Sequence, residues 1–188
     1  MNTVVQKRLD RAAAARVLLA LHAAGNLDNP ARWTWESVDR LPAWCLAGAE
    51  ERIKLQLTCG AMYLSPDIRF WINKSALLAV QQLLGTELFE HILAKADEML
   101  LPRESVSDVI AQTGLDPVTA QMEQIQAVLM AAGATVLTAT VHKSLPYEML
   151  TESLGPGIGD ITEQAATTLL KAAELLILDT GLSEANVS

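Results

Sequence analysis

Residues 52–93, RIKLQLTCGAMYLSPDIRFWINKSALLAVQQLLGTELFEHIL, decide the fold class. Apolar Ile53, Leu55, Leu57 and Met62 lead to Ser65-Pro66-Asp67. Proline suits a first helical turn and a serine before it can accept an orphan backbone N–H, so the spacing predicts a new helix starting at Pro66. Ile68, Trp71 and Ile72 then fall at helical spacing. Ser75 is placed to cap a segment over 76–84, and Gly85-Thr86 to close that helix and cap another beginning at Glu87. Several short helices follow one another here without a reacting constellation, which is the pattern of a scaffold.

The same punctuation organises the rest of the chain. Toward the N-terminus, Thr3 can cap a helix over 4–24 that Gly25 ends, with a loop over 26–31. Thr34 can cap a short helix over 35–41, Pro42 interrupts it, and 43–62 continues helical with Glu50 and Lys54 four residues apart. Toward the C-terminus the expected helices cover 87–100, stopped by Pro102, then 105–113, then 117–130 capped by Asp116, then 134–144 beyond a break at Gly133. A short turn of helix begins at Pro146, Gly155-Pro156-Gly157-Ile158-Gly159 resets the chain, and Asp160 or Thr162 starts a helix over 161–179 that Gly181 ends. No strand alternation and no internal repeat interrupts this order. The expectation is an all-α protein: a compact, irregular bundle of eight to ten helices in a single domain over 1–188, its first thirty residues standing as a possible helical extension.

Composition sets independent bounds. A chain of 188 residues can bury a proper core, and 51% hydrophobic residues with a mean hydropathy of +0.23 exclude a disordered chain. Aromatic residues make up only 4%, so Leu and Ala must fill the interior, which favours helices. The net charge of −8 is uneven: ten basic against nine acidic residues through Leu93, and four against thirteen from Ala94 onward. An acidic C-terminal half repels phosphate backbones and disfavours nucleic acid, while it steers a basic protein surface toward itself. Cys45 and Cys59 match neither a disulfide framework nor a CxxC motif, which points to a reducing, cytoplasmic setting. Lys7 and Arg8 precede an Ala-rich stretch, but Asp10 and Arg16 interrupt the apolar core that a secretion signal needs. The uncharged run 124–141 carries Gln124, Gln126, Gly133 and several threonines, a poor membrane span.

Candidate chemistry is sparse. Glu87 and His91 share a helix face at i,i+4 with Glu90 beside them, a spacing that can hold a metal, yet no HExxH or second Glu-x-x-His completes it. The loop 155–159 could offer free N–H groups to an anion, but it lacks the P-loop order and GxGxxG, and Pro156 removes a donor. It reads as a connector. No GxSxG elbow accompanies Ser65, Ser75 or Ser144, and the cysteines lie in apolar segments where buried, unreactive thiols are expected. No catalytic residue, metal ligand or cofactor is therefore assigned. Trp33 and Trp35 either anchor a protein partner or fill the junction between the first helix and the central bundle. Arg69, beside Phe70 and Trp71, either grips a partner carboxylate or covers an aromatic ring with its stem.

One order of features resembles a known family. Leu41-Pro42 leads to Trp44; Ile53-x-Leu55-x-Leu57-x-x-Gly60-Ala61 leads to Leu64-Ser65-Pro66; Ile68-Arg69 and Ala76-Leu77 follow, then Val80, Leu84-Gly85 and Leu88. A second piece is Ala132-Gly133-Ala134, Val136-Leu137 and Ala139, followed by Leu145-Pro146. Across 41–150 this resembles the SctK (YscK-like) family, the cytosolic accessory component of the sorting platform beneath type III secretion injectisomes. The resemblance consists of apolar spacing and turns, and it brings no active site. It implies a non-enzymatic adaptor, peripheral to the inner membrane, that docks the forkhead-associated-type domain of the inner-membrane ring and the pod-forming (C-ring) protein; the sequence leaves the oligomeric state open, with a monomer expected for the isolated chain. Trp33, Trp35, Arg69, Trp71, Glu163 and Glu174 are the candidate partner-binding residues, the two glutamates because they belong to the acidic half. The same composition admits a secretion chaperone or another helical adaptor, and, from a different class, a helical enzyme with a metal at Glu87 and His91.

Overall fold

A computed structural model describes residues 11–12, 15–16, 34, 36, 39–95, 103–141, 151 and 153–185. Among them are six α-helices and one 3₁₀ turn, Ala43–Leu46, and no strand. The helices are α1 (Ala49–Ile68), α2 (Lys74–Leu84), α3 (Thr86–Lys95), α4 (Arg103–Thr113), α5 (Met122–Ala139) and α6 (Glu163–Ala185). The protein is thus all-α; the helices expected from Pro66 and beyond Gly133 are parts of α1 and α5, while most of the helix expected over 4–24 and the turn of helix at Pro146 lie outside the described residues. The described residues of the first expected helix, Arg11, Ala12, Ala15 and Arg16, are helical.

The chain divides into two units, Met1–Arg52 with Val141–Ser153, and Ile53–Thr140 with Leu154–Ser188. In the first, the guanidinium of Arg11 donates to both carboxylate oxygens of Asp39 at 2.8 and 2.7 Å, and Arg40 pairs with Glu36 one turn away. Trp44 and Cys45 of the 3₁₀ turn are buried. The Gly48 N–H donates to Glu51, a carboxylate in the first turn of α1 that also suits the positive end of the helix.

The second unit holds the larger core. Helices α2, α5, α6 and α3 pack in a closed cycle, each on the next. Inside lie Val80, Ile92, Ile125, Leu129, Leu137 and Leu176, all essentially without solvent exposure. Each such side chain contributes about 1.5–3 kcal/mol relative to leaving it in water. Helix α1 crosses α5 where two glycines meet: a Cβ on Gly60 would stand 1.9 Å from the Leu129 carbonyl oxygen, and one on Gly133 would stand 1.9 Å from that of Gln56. Only glycine permits this approach of one backbone to another. Gln56 is 3% exposed beside the crossing, and its Nε2 donates to the carbonyls of Met130 at 2.7 Å and Leu154 at 2.9 Å. Its burial is thereby compensated.

Five local expectations are corrected. Pro66 does not open a helix; it lies within the last turn of α1. Proline removes the N–H that would reach the Met62 carbonyl, and the Ser65 hydroxyl donates to that carbonyl instead at 2.8 Å, so the helix carries on to Ile68. Asn73, not Ser75, caps α2, accepting from the Ser75 N–H at 2.7 Å. Gly133 does not separate two helices, because α5 is continuous from Met122 to Ala139, and residues 117–119 form a turn ahead of it. Gly181 likewise lies inside α6 rather than ending it.

Candidate functional site

The turn between α1 and α2 presents side chains on a rigid frame. Trp71 is buried at 8% exposure, and its indole N–H donates to Asp67 Oδ2 at 3.0 Å. Ser107 of α4 donates to the other carboxylate oxygen, Oδ1, at 2.6 Å. Trp71 therefore fastens the turn to α1 from inside and does not present its ring to a partner. Its neighbours point outward: Arg69 lies over the Phe70 ring, 4.8 Å from the centroid, with both residues exposed. Ile72 is 98% exposed between Trp71 and Asn73, whose amide also donates to the Val118 carbonyl. Val118 is itself exposed, on a turn that Asp116 stabilises by accepting from the Val118 N–H and the Thr119 hydroxyl, both at 3.0 Å.

Of the other candidates, Glu163 is exposed in the first turn of α6 and Glu174 is half-buried further along it. The Glu174 charge reaches Cys59, adding to the burial that holds that thiol protonated. Trp33 and Trp35 lie outside the described residues. The structure thus brings Arg69 and Trp71 together in one turn and places Glu163 and Glu174 on another element.

The features considered for chemistry are occupied structurally. His91 turns Nδ1 onto the Glu87 backbone carbonyl at 2.7 Å, so that nitrogen carries the proton. Among the described residues no group of three His, Cys, Asp or Glu side chains is arranged to hold a metal ion. Burial pushes the Cys45 thiol up to about 12, and burial with the Glu174 charge pushes Cys59 up as well; both are poor nucleophiles near neutral pH. In the glycine-rich loop, the Ile158 N–H donates to the Thr135 hydroxyl at 2.7 Å, and that hydroxyl lies 2.8 Å from the Ile158 carbonyl. A Cβ on Gly157 would meet the same hydroxyl at 2.6 Å. The loop is pinned on α5, and Asp160 and Glu163 follow it with negative charge, which disfavours an anion there.

None of the family models, curated proteins or solved structures compared with this chain matches it. Sequence reasoning overlooked two sets of outward apolar residues, Ile72 with Val118, and Leu175 with Leu178 on α6. The second pair had a signal in the sequence: Lys171, Leu175, Leu178 and Leu182 recur at alternating steps of four and three. The first pair had none, because helical spacing counted Ile72 toward a buried face.

Proposed function

We propose that this chain is a non-enzymatic adaptor of a type III secretion sorting platform, of the SctK kind, linking the forkhead-associated-type domain of the inner-membrane ring to the pod-forming protein. The observation that carries this reading is the order of apolar positions and turns over 41–150, including Gly60 and Gly133 at the helix crossing. In support, the His91 ring and the Ser65 hydroxyl bond carbonyls of their own helices, whereas large apolar side chains face outward. Such surfaces suit recognition by shape and charge. No helix among the described residues is long and apolar enough to cross a membrane, so attachment to the inner membrane would run through protein partners. Arg69 and the acidic face of α6 are the surfaces assigned to them, and Trp33 and Trp35 keep that role as well.

The test is an affinity pull-down with cross-linking and mass spectrometry from the native bacterium. Recovery of the pod-forming protein, the inner-ring protein or the secretion ATPase supports the reading; recovery of none of them counts against it. Reversing charge at Glu163 and Glu174 should weaken at least one of these contacts. A secretion chaperone is the second reading, favoured by the exposure of Ile72 and Val118, and capture of a single secreted effector alone would select it. A metal enzyme is tested by elemental analysis of purified protein, where stoichiometric zinc or iron would revive it.

A further inference from the structure

From Leu175 onward, helix α6 carries apolar side chains on two opposite faces. Ala166, Leu169, Leu170, Ala173 and Leu176 are buried, on the side where α6 packs on α3 and α5. At about 100° per residue, Leu178 stands roughly opposite Leu176. Leu175 and Leu178 are 62% and 61% exposed, unlike the leucines of the inner face. They belong to the heptad-spaced series that Lys171 begins and Leu182 continues in the sequence, the spacing of a seam that receives another helix. A helix hydrophobic on both faces is one that packs on both.

The flanks of the seam identify what packs there. Glu174 and Asp179 occupy the positions on either side of Leu175 and Leu178, where coiled-coil partners exchange charge. A second copy of this chain would set those carboxylates against each other in either orientation, since parallel helices pair one flank with the other and antiparallel helices pair each flank with itself. We infer that the outer face of α6 receives an amphipathic helix of another protein, one with a leucine-type seam bordered by Lys or Arg. This rests on the adaptor reading for the existence of a protein partner, and it adds the element used and the chemistry of the helix that binds.

The experiment needs no platform component, so its failure is separable from failure of that reading. The full chain is titrated with two fluorescent synthetic helices of four heptads, both with Leu at the seam, one bordered by Lys and one by Glu. The expected result is at least tenfold tighter binding of the Lys-bordered peptide. That affinity should fall at least tenfold in Leu175→Gln/Leu178→Gln, which keeps every charge, and Asp179→Lys should narrow the preference between peptides. Both leucines are exposed, so the double variant should melt with the parent; a clear loss of stability would mark them as structural and overturn the inference. Equal binding of the two peptides would overturn it, as would binding unchanged by the double substitution. A concentration-dependent dimer that disappears in the double variant would overturn it in favour of a second copy.

Discussion

Replacing Gly60 by alanine should destabilise the protein even though alanine is the better helix former. In an isolated helix the exchange gains about 1 kcal/mol. Here the new Cβ would stand 1.9 Å from the Leu129 carbonyl oxygen and 2.9 Å from the Gly133 nitrogen, and contacts under 3.0 Å essentially do not occur. The obstacle is backbone on a packed helix, so α1 and α5 must part by about 1 Å. Overpacking of this kind costs about 1–3 kcal/mol, toward the upper end where no side chain can swing aside. Parting the helices also stretches the Gln56 bonds to Met130 and Leu154, each contributing about 1 kcal/mol net. Set against the helix-propensity gain, the expected net loss is about 2–4 kcal/mol, or roughly 4–16 °C in melting temperature for a chain of this size. Urea denaturation followed by circular dichroism measures it. Gly133→Ala should behave alike, and the two together should cost less than their sum, because the first alanine already opens the crossing. A Gly60→Ala protein as stable as the parent, or more so, would refute the close crossing.

Three other outcomes can be checked. Gln56→Leu takes the side-chain donor from the buried Leu154 carbonyl and a second bond from the Met130 carbonyl of α5, and should lose about 2 kcal/mol by chemical denaturation, with no deficit if water enters to replace the amide. Thr135→Val removes the hydroxyl that holds Ile158, so hydrogen exchange at the Ile158 amide should accelerate while amides in the middle of α5 stay protected. The thiols give a pH dependence. Burial raises both above their ordinary value of 9.0, so the unfolded chain ionises first. Their contribution to stability is complete below pH 9 and declines as pH rises toward about 12 for Cys45, by up to about 1.4 kcal/mol per pH unit for each thiol. Unfolding free energies measured between pH 8 and 10 should fall for the parent and stay flatter for Cys45→Ala/Cys59→Ala.

Helix content was legible because caps and breakers are local: Gly85 closes one helix, the next starts at Thr86, one residue earlier than expected, and helix resumes after Pro156-Gly157. What was misread concerns residues whose meaning is set from a distance. Gly133 has the same sequence character whether it ends a helix or lets one backbone pass over another, and only the arrival of Gln56 decides between them. Pro66 suits a first turn and removes a backbone bond in a last one, and the Ser65 bond to Met62 replaces the one removed. The candidate docking residues divide in the same manner. Trp71 looks like an interface anchor by type, yet Asp67 draws it inward, while Ile72 looks like core by type and is held out between two fastened neighbours.

The bond from Gln56 to Leu154 joins residues 98 positions apart. At roughly 5–20 residues per second of synthesis, a nascent chain waits about 5–20 s between making the donor and making its acceptor. For most of that interval α1 lacks the helix that will cross it, since α5 ends only at Ala139, and Gln56 gains its second acceptor last. A helical protein of this kind is therefore completed late, by closure over a long stretch of chain, and its slow step should resemble that of a non-local fold more than that of a helical hairpin.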